Sequence, residues 1–259
     1  MTIDLRPRTV ESHCTSEAAP HKGAVARRPV VTAAATLAGA YVALSVVLVG
    51  IGLVLTHFLA PVRHWDEHVV TWFAAHRSAG WNTASADGTL AANTVSVIGG
   101  AAAVTAFALL RRWGRVAALL ACGLLVEITV FLTVNYVVAR PRPAVPHLGS
   151  TPSTYSFPSG HVAATCVLFG GIAILVATRT ANRGARIMAW LVAAALVSWV
   201  AFSRVYKGEH HPTDVFAGLV LGVGVLVASV LAIRPSWPSP VWQAPRVRGG
   251  GAIEEKGAQ

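Results

Sequence analysis

Val215-Phe-Ala-Gly-Leu-Val-Leu-Gly-Val-Gly-Val-Leu-Val-Ala-Ser-Val-Leu-Ala-Ile233 runs for 19 residues without a charged side chain. A helix rises about 1.5 Å per residue, so about 20 apolar residues cross the hydrocarbon core of a bilayer. This stretch therefore predicts a membrane span. Five further segments read the same way: Val30–Leu59, Leu90–Leu110, Val116–Ala139, Val162–Thr178 and Ile187–Phe202. The expected fold is all-α, a polytopic membrane protein built as a bundle of six transmembrane helices. Alanine recurs in every segment and glycine occurs in five of the six, which lets helices pack closely where lipid supplies no hydrophobic drive between them. Composition agrees: 12% of the 259 residues are charged, against about 25% in soluble domains.

The formal charge of +10 raises the question of nucleic acid. The basic residues, however, sit in small groups between apolar runs and form no basic face or nucleic-acid motif, so membrane topology explains them better. Arg6, Arg8, Lys22, Arg27 and Arg28 precede the first segment, and Arg111, Arg112 and Arg115 join the second to the third. Arg179, Arg183 and Arg186 join the fourth to the fifth, and Arg234, Arg246, Arg248 and Lys256 follow the sixth. These fifteen of the 21 basic residues fall on one side. The positive-inside rule makes that side cytoplasmic, with both termini inside. The expected address is a bacterial cytoplasmic membrane. Residues 1–29 and 236–259, rich in polar residues, Pro, Gly and Arg, are expected to be disordered cytoplasmic tails. Residues 30–235 then form one domain. The first 29 residues are polar and the apolar run after them is too long for a cleavable signal, so it is expected to stay as the first span. The segment Pro61–Gly88 falls outside, and its apolar and aromatic residues recur near a helical period. That pattern suits an interfacial helix over about 61–80 or a loop anchored by tryptophans. Cys14, Cys122 and Cys166 have no metal-binding spacing and are odd in number, so they read as free, buried or incidental.

Three polar clusters interrupt the apolar chain. They are Asn135-Tyr-Val-Val-Ala-Arg140-Pro-Arg142-Pro143, then Phe157-Pro-Ser159-Gly160-His161, then Ser203-Arg204-Val-Tyr-Lys207-Gly-Glu-His210-His211-Pro-Thr-Asp214. Singly, each has a plain explanation. Arg-Pro repeats end helices and snorkel to headgroups; Pro-Ser-Gly is turn and helix-start chemistry; Asp214 suits a helix N-terminus. Hydropathy and charge place all three at the same, extracytoplasmic, face. There they can form one phosphoryl site. Arg142 and Arg204 can offer forked donors to phosphate oxygens. Ser159 and Gly160, opening a helix, can offer backbone N–H groups, and glycine lets an oxyanion approach. One histidine can attack phosphorus and another can protonate the leaving oxygen, while a carboxylate can hold the attacking imidazole.

These residues give the chain its resemblance to the type 2 phosphatidic acid phosphatase superfamily, which includes bacterial undecaprenyl-diphosphate phosphatases and the soluble vanadium haloperoxidases. The family pattern is KxxxxxxRP, PSGH and SRxxxxxHxxxD. Arg142-Pro143 matches the end of the first motif, Pro158–His161 the whole second, and Ser203-Arg204, His210 and Asp214 the third. The resemblance covers about residues 30–235. It implies that His210 is the nucleophile, forming a phosphohistidine, that Asp214 orients it, and that His161 is the general acid. It implies that Arg142, Arg204, Ser159 and Gly160 hold the phosphoryl oxygens, and that no metal or cofactor takes part. The family lysine falls on Asn135, which keeps a hydrogen-bond donor but no charge. Lys207 or Arg140 are candidates to replace that charge. A zinc site from His210, His211 and Asp214 is the weaker alternative, with His211 better suited to a contact behind the site or with a headgroup. Glu127, inside the third segment, is expected to be structural, protonated or hydrogen-bonded.

The function expected is metal-independent hydrolysis of a membrane lipid phosphate or diphosphate: a polyprenyl diphosphate, phosphatidic acid or phosphatidylglycerol phosphate. The partners are that lipid and the bilayer, not nucleic acid; the sequence leaves the oligomeric state open. The alternative is a catalytically impaired lipid-binding or transport protein of the same fold, which only Asn135 favours. A vanadate-dependent haloperoxidase fits poorly, since those relatives are soluble.

Overall fold

The computed structural model describes residues 22–92, 94–149 and 153–233. The two expected tails therefore lie mostly outside the described residues. Eight helices follow one another: α1 (Lys22–His57), α2 (Ala60–Ala75), α3 (Ala79–Ala92), α4 (Thr94–Leu110), α5 (Gly114–Val138), α6 (Gly160–Arg179), α7 (Arg183–Tyr206) and α8 (Pro212–Ile233). No strand occurs among the described residues, so the all-α expectation holds. α1 begins eight residues ahead of the expected Val30.

Five helical segments are long and apolar enough to cross a membrane: Val30–His57, Gly114–Val138, Gly160–Arg179, Arg183–Tyr206 and Pro212–Ile233. The chain is a multi-pass membrane protein. The remaining expected span corresponds to α4, whose apolar part, Ser96–Leu110, is shorter than a full crossing. Large apolar side chains on the outside, such as Val46, Leu110, Leu125, Leu191 and Phe216, face what a bilayer would supply as solvent. The segment after α1 is helical, as its periodicity suggested, but it breaks into α2 and α3 rather than one helix over 61–80.

α6 is the central helix, packed against α5, α7 and α8. The main core joins α1, α5, α6 and α8 through Leu48, Val130, Val134, Val167, Leu221 and Val225. Two glycines one turn apart set the α6–α8 approach. A Cβ on Gly218 would lie 2.4 Å from the Ser159 carbonyl oxygen, and one on Gly222 would lie 2.6 Å from the Cys166 Cβ. This is the small-xxx-small device of membrane helices, and here it also fixes where α6 begins. The Ser159 N–H donates to the Asp214 carbonyl at 2.9 Å, so the start of α6 is locked to the first turn of α8.

Gly218→Ala is expected to destabilise the fold by about 1–3 kcal/mol, because backbone cannot yield as a side chain can. Thermal unfolding in detergent checks this against Gly99→Ala, where a Cβ meets nothing within 4 Å. Equal melting temperatures for the two variants would show that α6 and α8 are not held this tightly.

Candidate active site

The C-terminal ends of α5 and α7 and the N-terminal ends of α6 and α8 meet at one end of the bundle. The loop after α5 returns across them and is stapled at Asn135. The Asn135 amide nitrogen donates to the carbonyls of Tyr155 at 2.9 Å and Phe157 at 3.0 Å, and its oxygen accepts from the Tyr155 N–H at 3.0 Å. Asn135 is fully buried. It was expected among the phosphate ligands, but its donors and acceptor are all directed at backbone. Its role in this structure is to shape the loop that leads into α6. A lysine cannot reproduce that pattern, because it has no acceptor.

His210 lies in the turn between α7 and α8 and is almost completely buried. Its Nδ1 is 2.7 Å from the Ser156 carbonyl oxygen. A carbonyl only accepts, so Nδ1 carries the proton and a neutral ring keeps its lone pair on Nε2. Burial pushes the His210 pKa well below the ordinary histidine value, and the Arg204 and Arg142 charges push it further. The result is a neutral imidazole beside guanidinium groups, the protonation state a nitrogen nucleophile needs.

Asp214 was expected to hold His210. Its side chain instead meets the neighbouring ring. Asp214 Oδ2 is 3.0 Å from His211 Nδ1, and it also accepts from the His211 N–H at 2.9 Å and from Ser156 Oγ. The other His211 nitrogen, Nε2, is 2.9 Å from Glu67 Oε1. With a carboxylate at each nitrogen, His211 is suited to be an imidazolium. Burial alone would depress its pKa, but the hydrogen bond and charge of Asp214 outweigh that and raise it. The link from Asp214 to His210 runs through Ser156, whose hydroxyl serves the carboxylate and whose carbonyl serves the imidazole.

Arg140 anchors this corner. Its guanidinium donates to Asp214 Oδ1 at 2.7 Å, to Thr213 Oγ1 at 2.7 Å and to Asp66 Oδ2 at 2.8 Å. Burial would lower its pKa, but the two aspartates raise it. Arg140 is thereby neutralised by protein carboxylates and does not replace the missing family lysine. Asp66 and Glu67, both on α2, were not singled out in the sequence as site residues. Their only sequence signal is a pair of acidic residues in a connection that otherwise carries aromatics and histidines.

The cationic cradle lies on the other side of His210. Arg204 is 1% exposed and pairs with Glu209 through one terminal nitrogen, while its Nε has no partner. Arg142 donates from Nε to the Thr154 carbonyl at 3.0 Å and from a terminal nitrogen to the Glu209 carbonyl at 2.7 Å. Lys207 Nζ is 3.7 Å from Glu209 Oε1. His161, in the first turn of α6, lies in the field of Arg204, Arg142 and Lys207. No described residue hydrogen-bonds to its ring. Ser159, the residue before α6, has a buried hydroxyl with no partner among the described residues, and the first N–H groups of α6 have no intrahelical acceptor. Gly160 was expected to let an anion close. The space its Cβ would take is filled by the Phe131 ring, at 2.9 Å, so packing is what this structure shows glycine to be needed for. Glu127 is buried in α5, away from these groups, and makes no hydrogen bond with any described residue. Among the described residues no group of three or more His, Cys, Asp or Glu is arranged to hold a metal ion.

The sequence model of the PAP2 superfamily matches residues 112–238, which contain all of these motifs. A decaprenylphosphoryl-5-phosphoribose phosphatase of Mycolicibacterium smegmatis is 32% identical over 180 residues, 68% of this chain and 78% of that protein. The chain belongs to the PAP2 superfamily. An undecaprenyl-diphosphatase of Sulfolobus acidocaldarius is 31% identical over 133 residues, 49% of this chain and 60% of its own length. Among solved structures, a PAP2-type phosphatidylglycerolphosphate phosphatase of Bacillus subtilis superposes with a TM-score of 0.63 at 23% identity. That match covers 71% of this chain and 93% of the other, and it supports the same fold.

Asn135→Ala is expected to cost about 1–3 kcal/mol, because buried loop groups lose their partners. Asn135→Lys should also lower the melting temperature, and a lysine variant as stable as the wild type would refute the clamp. His210 gives a pH prediction. Its folded pKa is depressed, so only the unfolded chain takes up the proton as pH falls below about 6.5. Relative to the non-titrating His210→Gln, the wild type should lose about 1.4 kcal/mol between pH 7.5 and 5.5. A constant difference across that range would mean that His210 protonates normally in the fold.

Proposed function

We propose that this PAP2 member is a lipid-phosphate phosphohydrolase that works through a phosphohistidine on His210. The observation that carries this reading is one juxtaposition. A neutral imidazole has its Nδ1–H tied to Ser156 and its Nε2 available, beside Arg204 and Arg142. Two buried polar atoms, Ser159 Oγ and Arg204 Nε, have no hydrogen-bond partner among the described residues. A tetrahedral phosphoryl group is the ligand that would satisfy both and bring phosphorus to the imidazole.

In the proposed reaction His210 Nε2 attacks phosphorus and the bond to the lipid-side oxygen breaks. His161 gives its proton to that departing oxygen. A water molecule then loses a proton to His161 and attacks phosphorus; the P–N bond breaks, its electrons return to Nε2, and inorganic phosphate leaves. Arg204, Ser159 and the α6 N-terminus stabilise the charge on the equatorial oxygens throughout. Arg142 adds charge to the cradle. Asp214 acts on His210 indirectly, through Ser156. Six membrane crossings are proposed, with α4 the short one, and the basic connections favour a site on the extracytoplasmic face.

An apolar cavity of about 570 Å³ lies between α6, α7 and α8, lined by Cys166, Gly170, Trp190, Val197, Leu226 and other residues. It begins five residues along α6 from His161, about 7.5 Å at the helical rise. Such a cavity suits the hydrocarbon end of a lipid whose phosphate lies in the cradle. The names of the relatives favour a polyprenyl phosphate or diphosphate, with phosphatidylglycerol phosphate and phosphatidic acid as the other members of the panel.

Purified full-length protein in detergent, with chelator present, is expected to release orthophosphate from at least one lipid on that panel. His210→Ala should reduce the rate by at least about 10³-fold, as loss of a nucleophile does. Alkaline detergent quench of the wild type with a substrate radiolabelled in the phosphate should leave acid-labile, base-stable label on protein. Lipid binding without turnover would instead identify a binding or transport protein.

A further inference from the structure

Glu209 immediately precedes the proposed nucleophile and is 1% exposed. Its carboxylate is directed into the group of cations assigned above to phosphate. It pairs with Arg204, lies 3.7 Å from Lys207 Nζ, and lies 4.0 Å from the Arg142 guanidinium. We propose that Glu209 is a resident counter-anion of the phosphate cradle, occupying the place of a phosphoryl group between Arg204, Lys207 and Arg142, so that substrate binds by displacing it. This inference rests on the functional reading above and concerns how that site is controlled.

The contacts fit a displaceable anion better than a permanent structural pair. The contacts to Lys207 and Arg142 are longer than hydrogen bonds, and the buried Arg204 Nε has no partner among the described residues. Structural arginine–carboxylate pairs frequently share two parallel bonds, whereas Glu209 engages Arg204 through one terminal nitrogen. A phosphate has more oxygens and more charge, and can serve donors that two carboxylate oxygens leave idle. The backbone around Glu209 is fixed on both sides. Its N–H donates to the Arg204 carbonyl at 3.0 Å, and its carbonyl accepts from Arg142 at 2.7 Å. Displacement therefore needs only side-chain rotation and leaves the adjacent His210 in place. In the free protein the carboxylate also offsets three mutually repelling cations, two of them buried, which explains why a site built for anions carries one of its own.

Two measurements test this. Glu209→Gln in the full-length protein keeps the shape and removes the charge. It should bind orthophosphate, read as a competitive inhibitor of lipid hydrolysis, about tenfold more tightly, the equivalent of about 1.4 kcal/mol. KM should fall with it, and kcat should fall too where phosphate release limits turnover. Glu209→Asp, which keeps the charge, should stay within a few-fold of the wild type. An inhibition constant unchanged or weakened in folded Glu209→Gln overturns the proposal, since it would make Glu209 a support for Arg204. The second measurement needs no variant: a structure of the wild type with orthophosphate should show the Glu209 carboxylate parted from Arg204. Phosphate bound with the pair intact overturns displacement even if lipid hydrolysis is robust. Displacement by phosphate in a protein that hydrolyses no lipid phosphate would sink the functional reading and leave this one standing.

Discussion

A charge buried at the end of an apolar helix bundle must be paired, and this requirement organises the site more than any other. Arg140, Asp66, Arg204, Glu209 and Asp214 are each 3% exposed or less. Isolated, such a group would cost several kcal/mol. Each is instead matched: Arg140 by Asp66 and Asp214, Arg204 by Glu209. The Arg140 pairs join elements far apart in the chain. Asp66 brings the α2 surface helix onto the start of α8, with Thr213 donating to it from both backbone and hydroxyl. The site is therefore held by its electrostatics as well as by the apolar packing beneath it.

Two glycines and one asparagine convert that pairing into geometry. Gly218 and Gly222 bring α8 against α6 closely enough for the Ser159 N–H to reach the Asp214 carbonyl. Asn135 fixes the returning loop from the end of α5. The Ser156 carbonyl then arrives where it sets the His210 tautomer, and its hydroxyl arrives at Asp214. Ser156 is not in any of the three sequence motifs, yet it touches two of the residues those motifs supply.

Much of this was legible in the sequence, for definable reasons. The long helices follow from apolar runs, because hydropathy is a local property and a helix is local structure. The convergence of Arg142, His161, Arg204 and His210 at one end follows from spacing, because alternate ends of successive spans lie on one face. The illegible part consists of pairings between distant segments. Asp66 meets Arg140 across 74 positions and Thr213 across 147, and no periodicity encodes such contacts. Asn135 was misread for a related reason. A position whose family counterpart is charged invites a ligand role, but a neutral amide with both a donor and an acceptor serves backbone better than anion. The length of α4 shows the same limit: an apolar run marked its end at Leu110 but not where its helix would begin.

The adjacent histidines show how little a residue type says without its surroundings. His210 and His211 are neighbours in sequence and both are buried. One faces a carbonyl and two guanidinium groups, the other a carboxylate at each ring nitrogen. The first is driven neutral and the second toward the cation, so adjacent side chains of one type are poised for opposite tasks. If Asp214 met His210 directly, it would draw a proton toward that ring and oppose the arginines that keep it neutral. By binding His211 and reaching His210 only through the Ser156 peptide, Asp214 can fix the orientation of the imidazole while His211 and Arg140 neutralise most of its charge. The carboxylate thus contributes position more than field, which is what a neutral nucleophile beside an anionic substrate requires.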